Sequence, residues 1–416
     1  MPIDDPVSDA TFLTRDAFTG IAEGKDSQVA IRGSLLDAPE ALAKTLGLEP
    51  ERLLAVVRAK QPGRLSDGAK VSFGWHDLAL FVRTRNLPWP RLRLVRAGQH
   101  LPPGSFLARE ASDVEGGTVR LLGPEVVQEL KDGATLIVDN LDDGGGPIEQ
   151  IAWHASLAFG ERCSINAYYS THKTVGFGRH WDDHDVIVVQ VAGCKQWDLW
   201  APTLPHPVKG DRAAEPGASA DLRWFLEPGD AAYVPRGWWH AAVASSDSPS
   251  LHLAMSVPYR RHDQAVEWSV GALARLRRDA YADMRATMVE RSGDPSALLY
   301  DPAALERWAS WFMVWHDATA RPVPWLNDPS LEAKELENCR VRPAWRRPAW
   351  FLPRDDDRVI LLAAERAMTL APDAAELVRR FTSTRWEPIA ALAETARDLE
   401  AIDVLAAEGL VHVRKT

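Results

Sequence analysis

The chain has 416 residues, which corresponds to two or three domains at about 150 residues each. Because 46% of the residues are hydrophobic and 25% are charged, a disordered or fibrous protein is excluded. The formal net charge of −10 makes nucleic acid an unlikely partner, since phosphate binding depends on clustered Lys and Arg. No apolar run approaches the roughly 20 residues that span a bilayer, and no secretory signal is visible, so we expect a soluble, cytoplasmic protein that does not enter a membrane.

The first third of the chain is predicted to combine helices with a few strands. From Asp37 to about Arg85 apolar residues recur every three, four and seven positions, which predicts helices packed outside a sheet. The stretch Leu92 to Leu107 and the segment Thr135 to Val138 are typical of strands, and a short helix is expected from Val126 to Lys131. An amphipathic helix is predicted from Ile148 to Phe159.

The middle of the chain, from Ser164 to about Pro258, has the pattern of strands. Short runs rich in Val, Ile, Tyr and Trp are separated by Gly and Pro turns without intervening helices. The predicted strands are INAYYS, DVIVVQVAG, KQWDLW, GDAAYVPRG, WWHAAVAS and LHLAMSV. Their number and spacing indicate an antiparallel sandwich or barrel of the jelly-roll kind.

The chain beyond Pro258 returns to a helical pattern. Two apolar stripes, Val266 to Tyr281 and Leu305 to Trp315, have more Trp and Leu than one small helical unit is expected to bury alone, which predicts a dimer. A Pro-rich connector is expected from Pro322 to Pro353. The last sixty residues predict a strand or helix over Val359 to Met368, then three helices and a terminal strand LVHV, an order that suggests a winged helix.

The predicted winged helix carries almost no net charge. From Ala375 to Thr416 there are six Lys and Arg residues against seven Asp and Glu residues. This balance offers no basic recognition surface, so we expect an architectural or protein-binding module rather than a DNA reader.

One short stretch combines residues that can bind a metal ion. Residues 178–182 read GRHWD and are followed by a predicted strand. On a strand His180 and Asp182 would project to the same side, because side chains alternate between the two faces. His240 would lie on a strand that a jelly roll can bring alongside. Two histidines and one carboxylate that leave coordination positions open are typical of non-haem Fe(II) sites.

His180 and Asp182 form an HxD pair, which is common by chance. The residues around the pair therefore decide whether it is interpreted as part of a metal site. Asn166 and Tyr168 form an Asn-x-Tyr strand, with Asn166 standing 14 residues before His180, and Lys195 follows His180 by 15 residues. Only 10 of the 48 basic residues are lysines, so a lysine at a demanding position is informative. Two further positions, at His240 and Ser256, extend this set of spacings.

His240 ends a Pro-x-Gly-x-x-His stretch, and Ser256 stands at the matching place in the next strand. Together these spacings resemble the JmjC-type, cupin-like 2-oxoglutarate oxygenases, and within them the ribosomal-oxygenase branch of protein hydroxylases. The resemblance implies Fe(II) as the metal and 2-oxoglutarate and O2 as cosubstrates. It implies metal binding by His180, Asp182 and His240 and 2-oxoglutarate contacts from Lys195, Asn166, Tyr168 and Ser256.

The expected architecture is an α+β fold with a double-stranded β-helix (jelly-roll or cupin) core and flanking helices. Residues 1–260 would form the catalytic domain with its N-terminal helices. By the same resemblance, residues 261–335 would form a helical dimerisation segment and residues 336–416 a winged-helix domain. A homodimer is the expected assembly.

The expected activity is hydroxylation of a side chain in a protein or peptide, with a ribosomal protein favoured because the acidic chain suits a basic partner. A 2-oxoglutarate oxygenase acting on a small molecule or a natural-product precursor stays open as an alternative. A non-catalytic metal-binding protein, a DNA-binding regulator and a lysine demethylase fit less well.

Several neighbours of the HxD pair are assigned no catalytic role. His184, four residues after His180, is an alternative ligand that we leave unassigned. Asp183 and Asp185 are expected to be turn acids or to face solvent. Trp181, Trp238 and Trp239 could form walls of the site or could serve packing alone.

Overall fold

The computed structural model describes two compact units, one over residues 38–259 and one over residues 333–416. The described residues are 38–66, 68–110, 118–159, 161–171, 176–244, 249–259, 333–345, 349–353, 358–363, 366–381 and 385–416. Among them, no helix is both long enough and apolar enough to span a membrane.

In the first unit helices and strands alternate up to Phe159, and the elements named after that residue are all strands. Its helices are α1 (Ala38–Leu46), α2 (Pro50–Ala59), α3 (Trp75–Thr84), α4 (Gly123–Lys131) and α5 (Gly146–Phe159). Its strands are β1 (Gly63–Ser66), β2 (Leu92–Arg96), β3 (Gln99–His100), β4 (Leu107–Glu110), β5 (Thr118–Leu121), β6 (Thr135–Val138), β7 (Ser164–Ser170), β8 (Asp185–Ala192), β9 (Lys195–Trp200), β10 (Leu222–Leu226), β11 (Ala231–Val234), β12 (Trp239–Ala244) and β13 (Ser250–Val257).

Two antiparallel sheets form the centre of this unit. The larger has eight strands in the order β1-β11-β8-β13-β7-β6-β2-β3, and the smaller has three in the order β10-β9-β12. Strands that are distant in sequence are neighbours in the larger sheet, as in a jelly roll. Strands β4 and β5 pair with each other in a separate hairpin.

Hydrophobic cores lie on both faces of the larger sheet. On the outer face, Leu46 of α1 and Ile151 of α5 pack in one cluster with Ile187 of β8. Between the two sheets, Val188 of β8 packs in a second cluster with Leu199 of β9. Because successive residues of β8 enter different cores, this strand is a continuous apolar run, as expected for a strand covered on both faces. The space between the sheets also receives the polar residues described below.

The predicted strands of the middle region are confirmed as β7, β8, β9, β11, β12 and β13. Strand β10 was not predicted, because it is an edge strand with largely exposed side chains and lacks a buried stripe. The region from Asp37 to Arg85 is not wholly helical as predicted, since it contains β1. That strand forms by pairing with β11, a long-range contact that local periodicity does not reveal.

The second unit also mixes helices and strands. Its strands are β14 (Cys339–Pro343), β15 (Trp350–Pro353), β16 (Val359–Ala363), β17 (Arg366–Leu370), β18 (Glu387–Pro388) and β19 (Val411–Lys415). Its helices are α6 (Pro372–Arg379), α7 (Ile389–Leu392) and α8 (Ala396–Ala407). Two three-stranded antiparallel sheets result, β18-β14-β19 and β15-β16-β17.

The helices and the terminal strand predicted for this unit are present, with two differences. The segment predicted as one strand or helix over Val359 to Met368 is a pair of strands. The Pro-rich segment predicted as a connector from Pro322 to Pro353 contains β14 and β15. Strand β14 forms there because Cys339 and Val341 alternate into the core while it pairs with β19.

The two apolar stripes between Val266 and Trp315 lie outside the described residues, as does the proposed dimerisation segment 261–335 apart from its last three residues. The assignment of a catalytic domain, a dimerisation segment and a winged helix therefore stays a prediction.

Candidate metal centre

Three side chains with metal-binding atoms converge near the start of β12. One such atom from each of His180, Asp182 and His240 lies within 4.8 Å of the other two. The two imidazole ring centroids are 4.3 Å apart, and Nε2 of His240 lies 3.6 Å from Oδ2 of Asp182. Over the ranges that the structure describes, no other group of three His, Cys, Asp or Glu side chains is placed this way. Two imidazoles and one carboxylate at this separation can hold one divalent ion.

Backbone hydrogen bonds hold these residues side by side. The N–H of His180 donates to the carbonyl of His240 at 3.1 Å, and the N–H of His240 donates back at 2.7 Å. The N–H of Gly237 donates to the carbonyl of Asp182 at 2.9 Å. The prediction that His180 and Asp182 share a strand is wrong, because His180 forms an isolated bridge and β8 begins only at Asp185. The ligand atoms converge because the chain turns around that bridge.

The hydrogen bond that Nδ1 makes determines the tautomer of each of these two histidines. Nδ1 of His180 lies 2.9 Å from the carbonyl of Gly178, and Nδ1 of His240 lies 3.0 Å from the carbonyl of Trp238. A carbonyl only accepts, so each Nδ1 carries a hydrogen and each Nε2 keeps its lone pair. This arrangement is usual for metal-binding histidines. Burial lowers the pKa of His240 to about 4, so its imidazole is neutral at pH 7, as a metal ligand must be.

A buried lysine projects into the space between the sheets. Lys195, the first residue of β9, is 3% exposed, and its Nζ lies 3.0 Å from Nδ1 of His252. Burial lowers the pKa of Lys195 to about 7. Burial, and then the charge of Lys195, lowers the pKa of His252 well below its usual value, so the imidazole accepts this hydrogen bond. No carboxylate of a described residue lies within ion-pair distance of the lysine, which leaves it able to pair with an external anion.

Aromatic contacts connect this lysine with the metal-binding group. The ring of Tyr168 stacks on His252, with centroids 4.7 Å apart and planes 6° apart. The indole of Trp197 lies 5.5 Å from the ring of His252 and 5.8 Å from that of His240. The lysine is therefore connected to the metal-binding group through His252 and Trp197, and both face the space between the sheets.

The other two predicted contacts share this space. Asn166 lies on the same strand and face as Tyr168 and accepts a hydrogen bond from the N–H of Asn140 at 3.0 Å. Ser256 is two residues beyond Ala254, which packs between the sheets, so alternation along β13 puts Ser256 on the same face. His252 was not predicted as a site residue, although it stands four residues before Ser256 on that face.

Asp185 differs from its prediction as a turn or solvent-facing acid. It is 2% exposed and accepts hydrogen bonds from the hydroxyls of Tyr233 at 2.7 Å and Tyr259 at 2.8 Å, and from the backbone N–H of Arg236 at 2.8 Å. Its carboxylate also pairs with Lys60 at 2.8 Å. It is buried because it opens β8 opposite β11, where these donors surround it.

The neighbouring residues of the HxD run stay outside the metal-binding group. Nδ1 of His184 lies 3.1 Å from a carboxylate oxygen of Asp183, and both side chains are partly exposed. Among the tryptophans, Trp238 packs against the core between the sheets, while Trp239 is 6% exposed and donates to Thr203 at 3.0 Å. These two contacts serve packing.

An aromatic series leads from the surface to the metal-binding group. Trp89 is 40% exposed, and its ring lies 5.4 Å from that of His100. His100 in turn lies 5.8 Å from Phe177, which is 5.4 Å from His180. The sequence analysis did not identify this wall, because its members come from separate loops and strands.

Comparison with known protein families gives a match over the same part of the chain. The model of the JmjC domain matches residues 150–265, which contain the metal-binding group, Lys195 and Ser256. Residues 150–265 therefore correspond to a JmjC domain. The predicted resemblance is confirmed.

Curated relatives of this chain carry related names. It is 32% identical over 139 residues to the bifunctional lysine-specific demethylase and histidyl-hydroxylase NO66 of Drosophila persimilis, covering 33% of this chain and 20% of that protein. It is 34% identical over 200 residues to human ribosomal oxygenase 1, covering 46% of this chain and 27% of that protein. The chain thus aligns with less than a third of the length of these relatives.

Among solved structures, Escherichia coli YcfD has a fold similar to that of this chain. One YcfD structure has a TM-score of 0.57 at 15% identity and is matched over 87% of this chain and 98% of its own. A structure of YcfD, a ribosomal oxygenase, in complex with cobalt and 2-oxoglutarate has a TM-score of 0.53 at 15% identity with the same coverage. At this identity the likeness shows the fold, which is cupin-like with antiparallel sheets and flanking helices.

Proposed function

We propose that this protein is an Fe(II)- and 2-oxoglutarate-dependent oxygenase that hydroxylates a side chain of a protein or peptide. The observation that carries this proposal is the convergence of His180, Asp182 and His240 on the same side of the sheets as the buried Lys195, which pairs with no carboxylate of the described residues. A metal-binding protein without catalytic function has no need for a buried cation beside its metal. The relatives named as oxygenases and hydroxylases, and the YcfD structure with cobalt and 2-oxoglutarate, support the same activity.

The donor set fits iron. Nε2 of His180, Nε2 of His240 and a carboxylate oxygen of Asp182 would hold the ion, and three protein ligands leave room for small molecules. When bound there, iron would supply the chemistry by which O2 and 2-oxoglutarate convert a substrate C–H into C–OH, with succinate and CO2 as the other products. The protein itself holds both imidazoles in the ligand tautomer through the carbonyls of Gly178 and Trp238.

The 2-oxoglutarate would lie between the metal and Lys195. The ammonium would pair with the distal carboxylate in a charge-assisted hydrogen bond, which is about twice as strong as a neutral one. The hydroxyl of Tyr168, the amide of Asn166 and the hydroxyl of Ser256 would supply further donors. His252 would accept one hydrogen from the ammonium and so direct the remaining hydrogens toward the ligand.

A polypeptide is the favoured substrate, and a ribosomal protein in particular. The aromatic series from Trp89 to Phe177 offers an exposed wall that suits an extended chain. The net charge of −10 suits a basic partner, because complementary charge raises encounter rates. A small molecule or a precursor peptide of a natural product is the alternative.

The C-terminal part supports a further structural proposal. Residues 336–416 would form a winged helix, since α6 to α8 are followed by the terminal strand β19, and residues 261–335 would form a dimer contact. A homodimeric mass by light scattering at micromolar concentration is the expected result, and a monomer would contradict it. We place the protein in the cytoplasm.

The test is turnover under defined conditions. The apoprotein would be loaded anaerobically with Fe(II), then given O2, 2-oxoglutarate and candidate ribosomal proteins or peptides. We expect succinate and a product heavier by one oxygen, which mass spectrometry would locate on one residue, while Asp182→Ala would give neither. Coupled turnover only with a free metabolite would refute the polypeptide substrate. No turnover of 2-oxoglutarate by iron-loaded protein would refute the oxygenase.

A further inference from the structure

The sheet β18-β14-β19 has one apolar and one basic face. Val341, Val411 and Val413 are buried in the core of the second unit. Between them, Arg340 lies directly opposite Arg414 on the neighbouring strand. Opposed residues of antiparallel strands share a face, so the arginines lie together on the side away from the core.

Two more residues extend this basic face. Arg342 lies opposite His412 in the same register. Burial, and then the charge of Arg342, lowers the pKa of His412, so the imidazole stays neutral near pH 7. Three guanidinium groups therefore supply the charge.

A tryptophan lies among the three arginines. Nη2 of Arg340 donates to the carbonyl of Trp386 at 2.6 Å. The guanidinium carbons of Arg342 and Arg414 lie 5.2 Å and 4.4 Å from the centroid of its indole ring. Cation–π contacts at these distances hold both guanidinium groups at the ring without using their hydrogen-bonding capacity on another charged group.

The arginines are not neutralised by neighbouring acids. In the part of the second unit that the structure describes, no carboxylate is within ion-pair distance of Arg340, Arg342 or Arg414. Glu387 pairs in register with Val341, which puts it on the opposite face of the sheet. Like charges directly opposite each other destabilise a sheet, so this cluster is a cost to folding that binding of an anion would remove.

We propose that this basic face, defined by Arg340, Arg342, Arg414 and Trp386, binds single-stranded nucleic acid. Arginine forks match phosphate geometry, and an aromatic ring with adjacent guanidinium planes offers surfaces on which bases stack. An acidic peptide would use the charge but not the aromatic ring, which is why nucleic acid is favoured. A charge count from Ala375 onward does not reveal this face, because β14, which carries Arg340 and Arg342, lies before that point.

The test uses the full-length protein and a fluorescein-labelled single-stranded RNA of 12 nucleotides, followed by fluorescence anisotropy from 50 to 300 mM NaCl. Each phosphate contact on a single strand contributes about −0.7 to the slope of log K against log salt, so three arginines predict a slope of about −2. In Arg342→Gln/Arg414→Gln the slope should fall to about −0.7, and affinity at 50 mM NaCl should fall about tenfold or more.

The matched control is Arg379→Gln/Arg397→Gln, which removes the same charge from helices of the same unit. Arg379 also contacts an aromatic ring, that of Phe351 at 4.4 Å, but these two arginines have carboxylate partners of their own. The control should bind RNA within about twofold of the natural protein. If circular dichroism shows that Arg342→Gln/Arg414→Gln does not fold, Arg414→Gln alone is the variant to measure, because this side chain is exposed. Its slope should be less steep than that of the natural protein by about 0.7.

Three results would overturn the proposal. The first is that the natural protein does not bind RNA at 50 mM NaCl. The second is that the control variant and the arginine variant lose binding equally. The third is that polyglutamate displaces the RNA as effectively as unlabelled RNA does. The last result would assign the face to an acidic protein. The proposal does not depend on the oxygenase activity, and 2-oxoglutarate turnover should be the same in both double variants.

Discussion

Replacement of Lys195 by Met tests the proposed cosubstrate pocket most directly. The side chain is 3% exposed and its nitrogen has one protein partner, the imidazole of His252. Methionine keeps most of the volume and removes the charge. We expect the apparent affinity for 2-oxoglutarate to fall sharply while the metal still binds, because the metal-binding atoms belong to other residues.

The size of the loss follows from burial. Removal of one partner of a buried ion pair costs about 3 to 5 kcal/mol, because the other charge is left without compensation. Since about 1.4 kcal/mol corresponds to a factor of ten, the dissociation constant should rise between about a hundredfold and a few thousandfold. The measurement belongs near pH 6.5, where Lys195, with a pKa of about 7, is mostly charged before the ligand binds.

The assay is calorimetric titration of 2-oxoglutarate into protein loaded with Mn(II), which binds such sites without supporting turnover. Lys195→Arg is the control, since it keeps a cation at the same position and should retain far more affinity than the Met variant. Mn(II) binding by electron paramagnetic resonance should be equal in all three proteins. An unchanged 2-oxoglutarate affinity in Lys195→Met would refute the assignment and point to another basic residue as the anion partner.

Three further outcomes are expected. His180→Ala should lose Mn(II) binding, whereas His184→Ala should keep it, because His184 lies outside the metal-binding group; equal retention would show that the ligand assignment is wrong. Asp185→Asn should lower the free energy of unfolding in urea by about 2 to 4 kcal/mol, because buried donors lose an acceptor, while Asp183→Asn, at a partly exposed position, should lower it less. The dissociation constant for 2-oxoglutarate should rise up to about tenfold per pH unit above pH 7, because free Lys195 is then neutral and must take up a proton to pair with the ligand. A flat profile from pH 7 to 8.5 would contradict that assignment.

Local patterns predicted most of the strands because they have buried side chains. Strand β8 is buried on both faces along most of its length, as is β13, and β12 is buried at both of its ends. Strands β1 and β10 lack this burial, since each is held by its pairing with one neighbour at an edge. Spacing in sequence also predicted the three residues whose possible ligand atoms converge, although strand alternation does not explain the placement of His180 and Asp182.

His252 shows what residue spacing alone does not reveal. Its position four residues before Ser256 predicts the face that it occupies, but its role depends on Lys195 from the other sheet and Tyr168 from the adjacent strand. A contact made by three strands of two sheets has no signature in any one of them. The same holds for the basic face of the second unit, where Arg340 and Arg414 are 74 positions apart in the chain but directly opposite in the sheet.

The run Asp182, Asp183, His184, Asp185 shows how the fold separates identical side chains. Asp182 faces the two histidines because its carbonyl is held by Gly237, while Asp185 faces two tyrosines because it opens β8. The N–H of Arg236, one residue before Gly237, donates to Asp185, so both acids are fixed by adjacent residues of one turn. The carboxylate of Asp185 accepts hydrogen bonds from several protein donors, so its lone pairs are engaged. The carboxylate of Asp182 lies next to two imidazole nitrogens that carry lone pairs, so its own lone pairs are not engaged in this way. The acid that remains able to bind a metal is therefore selected by its hydrogen-bond donors.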